Sequence, residues 1–491
     1  MTSGLPDAVS SGQPLLEPVT PSRSRLSAAI SSATWLRKDR GHRLACFVAM
    51  VALAVLAGIG IGTGTAERVL PLIACWLPVV LLGVVVRRRL QTPTLSPVWI
   101  VVVVFALGGS LGLMLQGQLN GALGGGIVLS LTESDIIRTT WLYAAFCGSL
   151  AVGAAVAVLA RSRPKPVPRF RLPTMNSRMR LACLVLSVLP VLVVVVGLGV
   201  QLISRIQYLV IMEGTSLIAV AIKMGLGAVA VCGYLYGLEH GVRRAFAAVI
   251  AVVYFALFFA MASRHMALVP IGFAVGLSAA QIGRKGRTRI VLVGLVAALL
   301  LLPIPLYLRD QPSHGLVPHL SYMSSFSYGL VDWRAMLNNL TIGFPVVGKT
   351  AFEVPHLPLR YIWIELNPLL GTMAGWYQIM PQTMLNTWTP YSALGELGNY
   401  GPLPVFLVGL GMGAVLAHLD RRVGVYLRQG RSLFSVAISG CAVLLAVTML
   451  QYGLRISVRI LLYTVLMDLA TRFIFRRSLE GGASAGLNRP G

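Results

Sequence analysis

Acidic side chains are scarce: 16 Asp and Glu stand among 491 residues, and charged residues of both signs make up only 12% of the chain. A soluble domain carries about 25%. Charge this sparse, set between long apolar runs, excludes an ordinary soluble fold and points to a chain solvated mostly by lipid. Cysteine is scarce too. Cys46, Cys75, Cys147, Cys183, Cys232 and Cys441 all fall inside apolar runs. None forms a CxxC pair, so neither a disulfide framework nor a cysteine metal site is expected, and they read as small core residues. Internal repeats are also lacking.

Apolar sequence is what abounds, at 56% hydrophobic residues with a mean hydropathy of +0.78. Apolar segments run near residues 44–62, 69–86, 97–115, 139–160, 181–203, 216–238, 245–262, 266–283, 290–308, 397–418, 433–450 and 456–474. Each approaches the ~20 residues that a helix needs to cross the hydrocarbon core. The expected fold is all-α, a polytopic membrane bundle of about 12 transmembrane helices. The first run reads as a retained signal anchor.

The net charge of +25 would suggest nucleic acid in a soluble protein. With the amino terminus placed inside, 30 of the 41 Lys and Arg residues fall in the inner segments, and 11 lie outside or within the membrane. That is the positive-inside bias, and it removes nucleic acid as a partner. The resulting plan has a disordered basic cytoplasmic tail at 1–43, nine transmembrane helices over 44–308 and one large extracytoplasmic loop at 309–396. Three more helices follow over 397–475, then a cytoplasmic tail at 476–491.

The loop holds Trp333, Trp363, Trp376 and Trp388, with His314, His319 and His356. A long structured loop in a compact protein is usually functional. Its proline and aromatic content predicts short interfacial helices. Within it "GFPVVGKT", Gly343 to Thr350, satisfies the P-loop pattern G-x-x-x-x-G-K-[ST]. A P-loop needs a strand before it, a helix after it and a distant Asp for Mg²⁺. Pro345, the missing frame and the outward location argue against ATP; Lys349 is expected to meet a different phosphate.

Cations collect at the outer helix ends despite the bias: Arg205, Arg264 in "FFAMASRHMAL", Arg360 in "HLPLRYIW", and Arg455 with Arg459 in "QYGLRISVRILL". The last two are four apart and share a helix face. Guanidinium groups grip phosphate oxygens in pairs, so a shared anionic ligand is expected. Snorkelling to headgroups, or pairing with Glu213, Asp310 or Glu365, is the simpler account of any one of them. Lys223 lies deeper and either lines a cavity or snorkels. Glu133 and Asp135 diverge on a helix and read as a solvated helix start. The three loop histidines lack metal-ligand spacing. "PYSALGELGNYGPLPVFLVGLGMG", Pro390 to Gly413, places Glu396 and Asn399 among glycines where the chain re-enters the membrane. Glu396 is either a helix cap or a base or hydroxyl acceptor at a cavity mouth.

The stretches "ASRHMAL", "VVGKTAF", "LPLRYIWIELNP" and "SALGELGNYGPL", in that order over about residues 205–475, resemble the bacterial oligosaccharide repeat-unit polymerases, the Wzy class of O-antigen polymerases. "WIEL" is less basic than that family's usual run, and the long tail is not shared. The resemblance implies a GT-C-type membrane glycosyltransferase, working at the outer face of the cytoplasmic membrane without cofactor or metal. Its substrate would be a polyprenyl-diphosphate-linked oligosaccharide in membrane lipid, with a chain-length regulator or flippase as candidate protein partner. It further implies catalytic roles for Glu396, Arg264 and Arg360. Arg264, Arg360, Arg455, Arg459, Arg205 and Lys349 would hold the diphosphate. His265, His356, Trp363, Tyr391 and Asn399 would meet acceptor or sugar. A polysaccharide ligase and a transporter are the alternatives. An enzyme using polyprenyl-phosphate monosaccharides would carry paired acids in its first outer loop, where this chain has only Glu67.

Overall fold

A computed structural model describes residues 48–61, 68–86, 95–119, 131–159, 177–207, 217–280, 284–331, 333, 336–337, 341–367, 369, 373–386, 389–429 and 432–486. The tail at 1–43, Cys46, Glu67, Glu213 and Trp388 lie outside the described residues.

Every apolar segment of the sequence carries a helix. The first four are α1 (Val48–Ile61), α2 (Val69–Val86), α3 (Pro97–Leu119) and α4 (Glu133–Leu159). The fifth segment is interrupted into α5 (Ser177–Leu186) and α6 (Leu189–Leu198). Pro190 has no N–H to continue the ladder there, and the Ser187 hydroxyl turns back onto the Cys183 carbonyl at 2.8 Å. Next come α7 (Leu217–Leu238), α8 (Gly241–Ala260) and α9 (His265–Ala280), then α10 (Arg284–Leu301), which breaks before Pro303 into α11 (Pro303–Arg309). Among the described residues, 8 helical stretches are long and apolar enough to cross a membrane. The outward-facing side chains are themselves apolar, as at Leu192, Val196, Val252, Leu292 and Val293. The architecture is the helical bundle that a polytopic membrane protein requires.

The segment after α11 folds as short pieces: α12 (Leu316–Met323), α13 (Gly343–Phe352), α14 (Leu359–Leu366), α15 (Trp376–Ile379) and α16 (Ala393–Asn399). A two-stranded antiparallel ribbon, β1 (Met384–Asn386) with β2 (Thr389–Pro390), sits between the last two. One piece departs from the expected interfacial placement. Helix α13 is inserted into the bundle, with Gly343 to Gly348, Thr350 and Ala351 buried and Phe344 stacked on Tyr143 at 5.6 Å. Small residues make that possible: a Cβ at Gly112 of α3 would lie 2.0 Å from the Phe344 ring. The chain ends in α17 (Pro402–Arg428), α18 (Ser432–Gln451) and α19 (Leu454–Gly486). Gly401, at φ 100°, separates α16 from α17, so the long helix starts later than hydropathy alone predicts. Helix α19 runs past residue 475, where the sequence reading placed the start of a tail.

Contacts between helix ends sort into two sets. At one end Arg68 Nε donates to Glu133 at 2.8 Å, and Arg138 Nε donates to the Ile61 carbonyl at 3.1 Å. Lys223 Nζ lies 5.9 Å from the Tyr452 ring centre at that same end. At the other end Arg180 pairs with Glu239 at 3.2 Å, Ser439 donates to the Leu95 carbonyl at 2.6 Å, and Arg422 pairs with Asp468 at 2.8 Å.

Lipid gives helices no hydrophobic reason to associate, so close backbone approach carries much of the packing. A Cβ on Gly153 of α4 would stand 2.1 Å from the Leu410 carbonyl, and one on Gly276 of α9 would stand 1.8 Å from that of Ala230 in α7. Backbone cannot rotate aside. Gly276→Val should therefore part α7 and α9 and destabilise by at least the ~1–3 kcal/mol typical of overpacking. A thermal melt of solubilised protein checks this against Gly227→Ala, whose new methyl meets nothing within 4 Å. Equal melting temperatures would contradict the packing account.

Candidate functional site

"GFPVVGKT" is helix α13, not a loop. Its backbone N–H groups belong to helical hydrogen bonds, which leaves no cradle of amides for phosphates. Gly348 serves contact with α4, where a Cβ would meet Thr139 Oγ1 at 2.6 Å. Lys349 Nζ pairs with Glu353 at 2.6 Å, one turn on.

The densest polar arrangement forms where α14, α16 and the start of α19 meet. Ser392 caps α16, its hydroxyl accepting from the Gly395 N–H at 2.8 Å. The Ala393 N–H donates to the Tyr452 carbonyl at 2.9 Å. Gly395 and Gly398 let the short helix settle against α13 and Leu142 of α4, since any Cβ there would collide. Glu396 is thereby turned toward α19, and its Oε2 accepts from the Leu454 N–H, the first of that helix, at 2.7 Å. A helix N-terminus favours a negative charge. Glu396 is thus a helix cap, but of α19 rather than of its own helix.

Glu365 arrives from the opposite side. Helix α14 is amphipathic, with Tyr361 and Glu365 buried one turn apart and Leu359, Arg360 and Trp363 facing outward. Glu396 is 0% exposed and Glu365 1% exposed, and their carboxyls lie within hydrogen-bonding reach of each other. Neither oxygen of Glu365, nor Oε1 of Glu396, receives an N–H or O–H from any other described group. Ionised carboxylates only accept, so this contact requires a proton. Burial, then the charge of Glu396, holds the Glu365 carboxyl well above the usual carboxylate range, with Arg455 opposing. Burial pushes Glu396 up to about 7, while the Leu454 N–H and the Glu365 carboxyl stabilise its ionised form. Tyr391 is raised as well, by burial and by the Glu396 charge.

Arg455 closes the arrangement. It is 2% exposed, and its Nη1 donates to the carbonyls of Ile364 at 2.6 Å and Asn367 at 3.0 Å. Its Nη2 donates to Leu369, whose carbonyl also takes Arg459 Nη2 at 2.8 Å. The arginine thus satisfies the carboxyl end of α14, with its guanidinium 5.5 Å from the centre of the Trp376 ring.

Other residues named from the sequence are placed as follows. The Asn399 amide is spent on backbone: Oδ1 accepts from Leu357 at 2.9 Å, and Nδ2 donates to Thr350 at 3.4 Å and Val354 at 3.1 Å. Tyr391 packs with Leu357, Tyr361 and Ile379. His356 is exposed, its ring 6.2 Å from that of Tyr400. Arg360 lies over the Tyr361 ring at 5.6 Å, on the outer side of α14 and turned away from Glu365.

Arg205, Arg264 and His265 belong to a second group, at the turn between α8 and α9. Ala262 takes a left-handed conformation there, at φ 47°. Three neighbours hold the turn: Arg205 Nη2 on the Ala260 carbonyl at 3.2 Å, Arg309 Nε on that of Ala262 at 3.0 Å, and His319 Nδ1 on that of Phe259 at 2.9 Å. Arg205 and His314 exchange backbone hydrogen bonds of 2.8 Å. His265 Nδ1 contacts the Ser263 hydroxyl at 2.8 Å. Burial, followed by the charge of Arg205, lowers His314; burial is also the main cause lowering His319.

In the sequence Glu365 stands only as a pairing partner for an outer arginine, though its i, i+4 spacing from Tyr361 marks it as part of a buried stripe. It also passed over Asp468, which takes Arg422 and Tyr426 at 2.8 Å each and Arg472 as well. The Asp468/Arg472 spacing of four on α19 marked that cluster. Comparison with protein-family models, curated proteins and solved structures found no match.

Proposed function

We propose that this chain is a membrane glycosyltransferase that joins polyprenyl-diphosphate-linked oligosaccharides, working where α14, α16 and α19 meet. The observation that carries the reading is the buried carboxyl of Glu396, which accepts from the first N–H of α19, the helix that also bears Arg455 and Arg459 one turn apart. In the proposed step an acceptor hydroxyl attacks the anomeric carbon and its proton passes to Glu396. The carbon–oxygen bond to the diphosphate breaks, and polyprenyl diphosphate leaves with the bonding electrons. Positioned guanidinium groups stabilise that developing charge. Arg455 has its terminal nitrogens on α14 carbonyls, so Arg459 is the arginine of this junction proposed to meet the diphosphate; Arg360 and Arg264, expected there from the sequence, lie on the outer side of α14 and at the separate α8–α9 turn. Glu396 is enclosed, and catalysis on this reading requires α14 to lift from it.

Topology supports the placement. In the alternation drawn from basic residues, every helix-end contact described above joins ends assigned to the same side. Arg68–Glu133, Arg138–Ile61, Lys223–Tyr452 and Glu396–Leu454 fall outside, while Arg180–Glu239, Ser439–Leu95 and Arg422–Asp468 fall inside. The proposed site is then extracytoplasmic, with twelve spans and both termini in the cytoplasm.

The test is purified protein in lipid with a defined polyprenyl-diphosphate oligosaccharide and a chelator. Products longer by whole repeat units, with release of polyprenyl diphosphate, are expected. Transfer only onto a different acceptor would make it a ligase. A second reading, transport of lipid-linked sugar, draws on the mid-helix break between α5 and α6; movement of intact substrate across the bilayer without bond cleavage would establish it instead.

A further inference from the structure

We infer that Glu365 is a positioning residue for Glu396: its carboxyl keeps a proton in neutral solution and donates it to the Glu396 carboxylate, fixing that group as an acceptor. The inference rests on the reading of Glu396 as a base, but its physical content, a retained proton on Glu365, stands apart from any activity.

Burial and the scarcity of donors around the pair support this arrangement. Both side chains are essentially sealed from solvent, so neither gains hydration by ionising. Glu396 has one backbone donor, from Leu454. Glu365 has none from outside the pair. Like charges in contact cannot both ionise cheaply, and the first proton leaves the carboxyl with the better donors. That is Glu396, at the α19 N-terminus and with the Glu365 hydroxyl on it.

The remaining groups facing the pair fit the same order. Arg455 lies on the Glu365 side and attenuates the penalty there without reversing it. Arg459 follows one turn along and acts on Arg455. Tyr391 and Tyr400 face the carboxyls, and burial holds both above the ordinary phenol value, so neither adds a competing negative charge. The Lys223 ammonium lies 5.9 Å from the centre of the Tyr452 ring.

Chemically, the device lets a buried base ionise near neutral pH. Without a donor from Glu365, the Glu396 carboxylate would keep only the Leu454 N–H, and burial would lift its pKa further. The proton on Glu365 is not consumed. It stays with Glu365 as Glu396 alternates between carboxylate and acid.

Infrared spectroscopy and pH–rate profiles of the full chain in lipid test this. In mildly alkaline buffer, the wild-type minus Glu365→Gln difference spectrum should show the carbonyl stretch of a protonated carboxyl. That band should persist in Glu396→Gln. In sugar transfer, the acid limb should lie near the Glu396 value of about 7. Glu365→Gln, which keeps a neutral donor, should leave the limb in place, and Glu365→Leu should move it upward. A band missing from the difference spectrum, or a limb shifted equally by Gln and Leu, would overturn the inference. If the band appears but no variant, nor the wild type, transfers sugar, the shared proton stands and the glycosyltransferase reading falls.

Discussion

Arg455→Ala is expected to release α14 without unfolding the bundle. The guanidinium is buried and holds the carbonyls of Ile364, Asn367 and Leu369. Hydrogen bonds to a charged group contribute about 1.5–3 kcal/mol each. Alanine leaves the Ile364 and Asn367 carbonyls to find water or stay unpaired while Leu369 keeps Arg459, a loss of several kcal/mol confined to one short amphipathic helix. Local opening, not global melting, is the expected response. Hydrogen exchange over residues 359–367 should accelerate strongly, while α4 and α17, joined by Gly153 and Gly413, keep their protection. Lysine should rescue poorly, since one ammonium cannot span carbonyls on three residues. Arg459→Ala removes only a shared bond to Leu369 and should do far less. Wild-type protection in Arg455→Ala would mean that Tyr361 and its apolar neighbours hold α14 unaided.

The bundle was legible in the sequence because helices long and apolar enough to cross a membrane advertise themselves through length and apolarity. The sequence also carried Glu396 and Arg455 as unusual charges at helix ends. Their mutual placement was not legible. Arg455 looked available to a ligand because the carbonyls of Ile364, Asn367 and Leu369 carry no mark in sequence; every residue has a carbonyl, and only the fold decides which are left without partners. Asn399 was opaque for the same reason. In helix α13 the same residues serve two ends: Gly343 and Gly348 fit a phosphate loop and also a close-packed helix; Pro345 and the missing frame already argue against the loop, and contact with Leu450 and Thr139 shows what the glycines do instead. Glu365 was legible in principle. A carboxylate one turn from Tyr361, on the buried stripe of an amphipathic octamer, asks for a partner, and the next buried carboxylate in the chain is Glu396.

Glu396→Gln should lower the rate of sugar transfer by about 10²–10⁴-fold, the usual contribution of a general base, with little loss of folded protein. The amide oxygen still accepts from the Leu454 N–H, so the cap on α19 survives while the proton acceptor is lost. In the wild type, ionisation near pH 7 has two opposed consequences. Activity should rise with pH through that value, because the carboxylate is the working form. Docking of α14 should weaken over the same range. A carboxyl whose pKa is raised in the closed state binds its proton more tightly there than in the open one. Its stabilisation is therefore complete below the ordinary carboxylate pKa of about 4.3 and is lost as pH rises through the closed-state value. Proteolysis or hydrogen exchange at residues 359–367 should thus accelerate with pH in the wild type, and much less in Glu396→Gln, which has no such proton to lose. The rate and the opening should then climb together in the wild type, as expected if an acceptor hydroxyl reaches Glu396 only when α14 lifts. Wild-type turnover by well-folded Glu396→Gln would reduce the residue to a cap on α19; a pH-independent exchange rate in the wild type would separate its ionisation from the movement of α14.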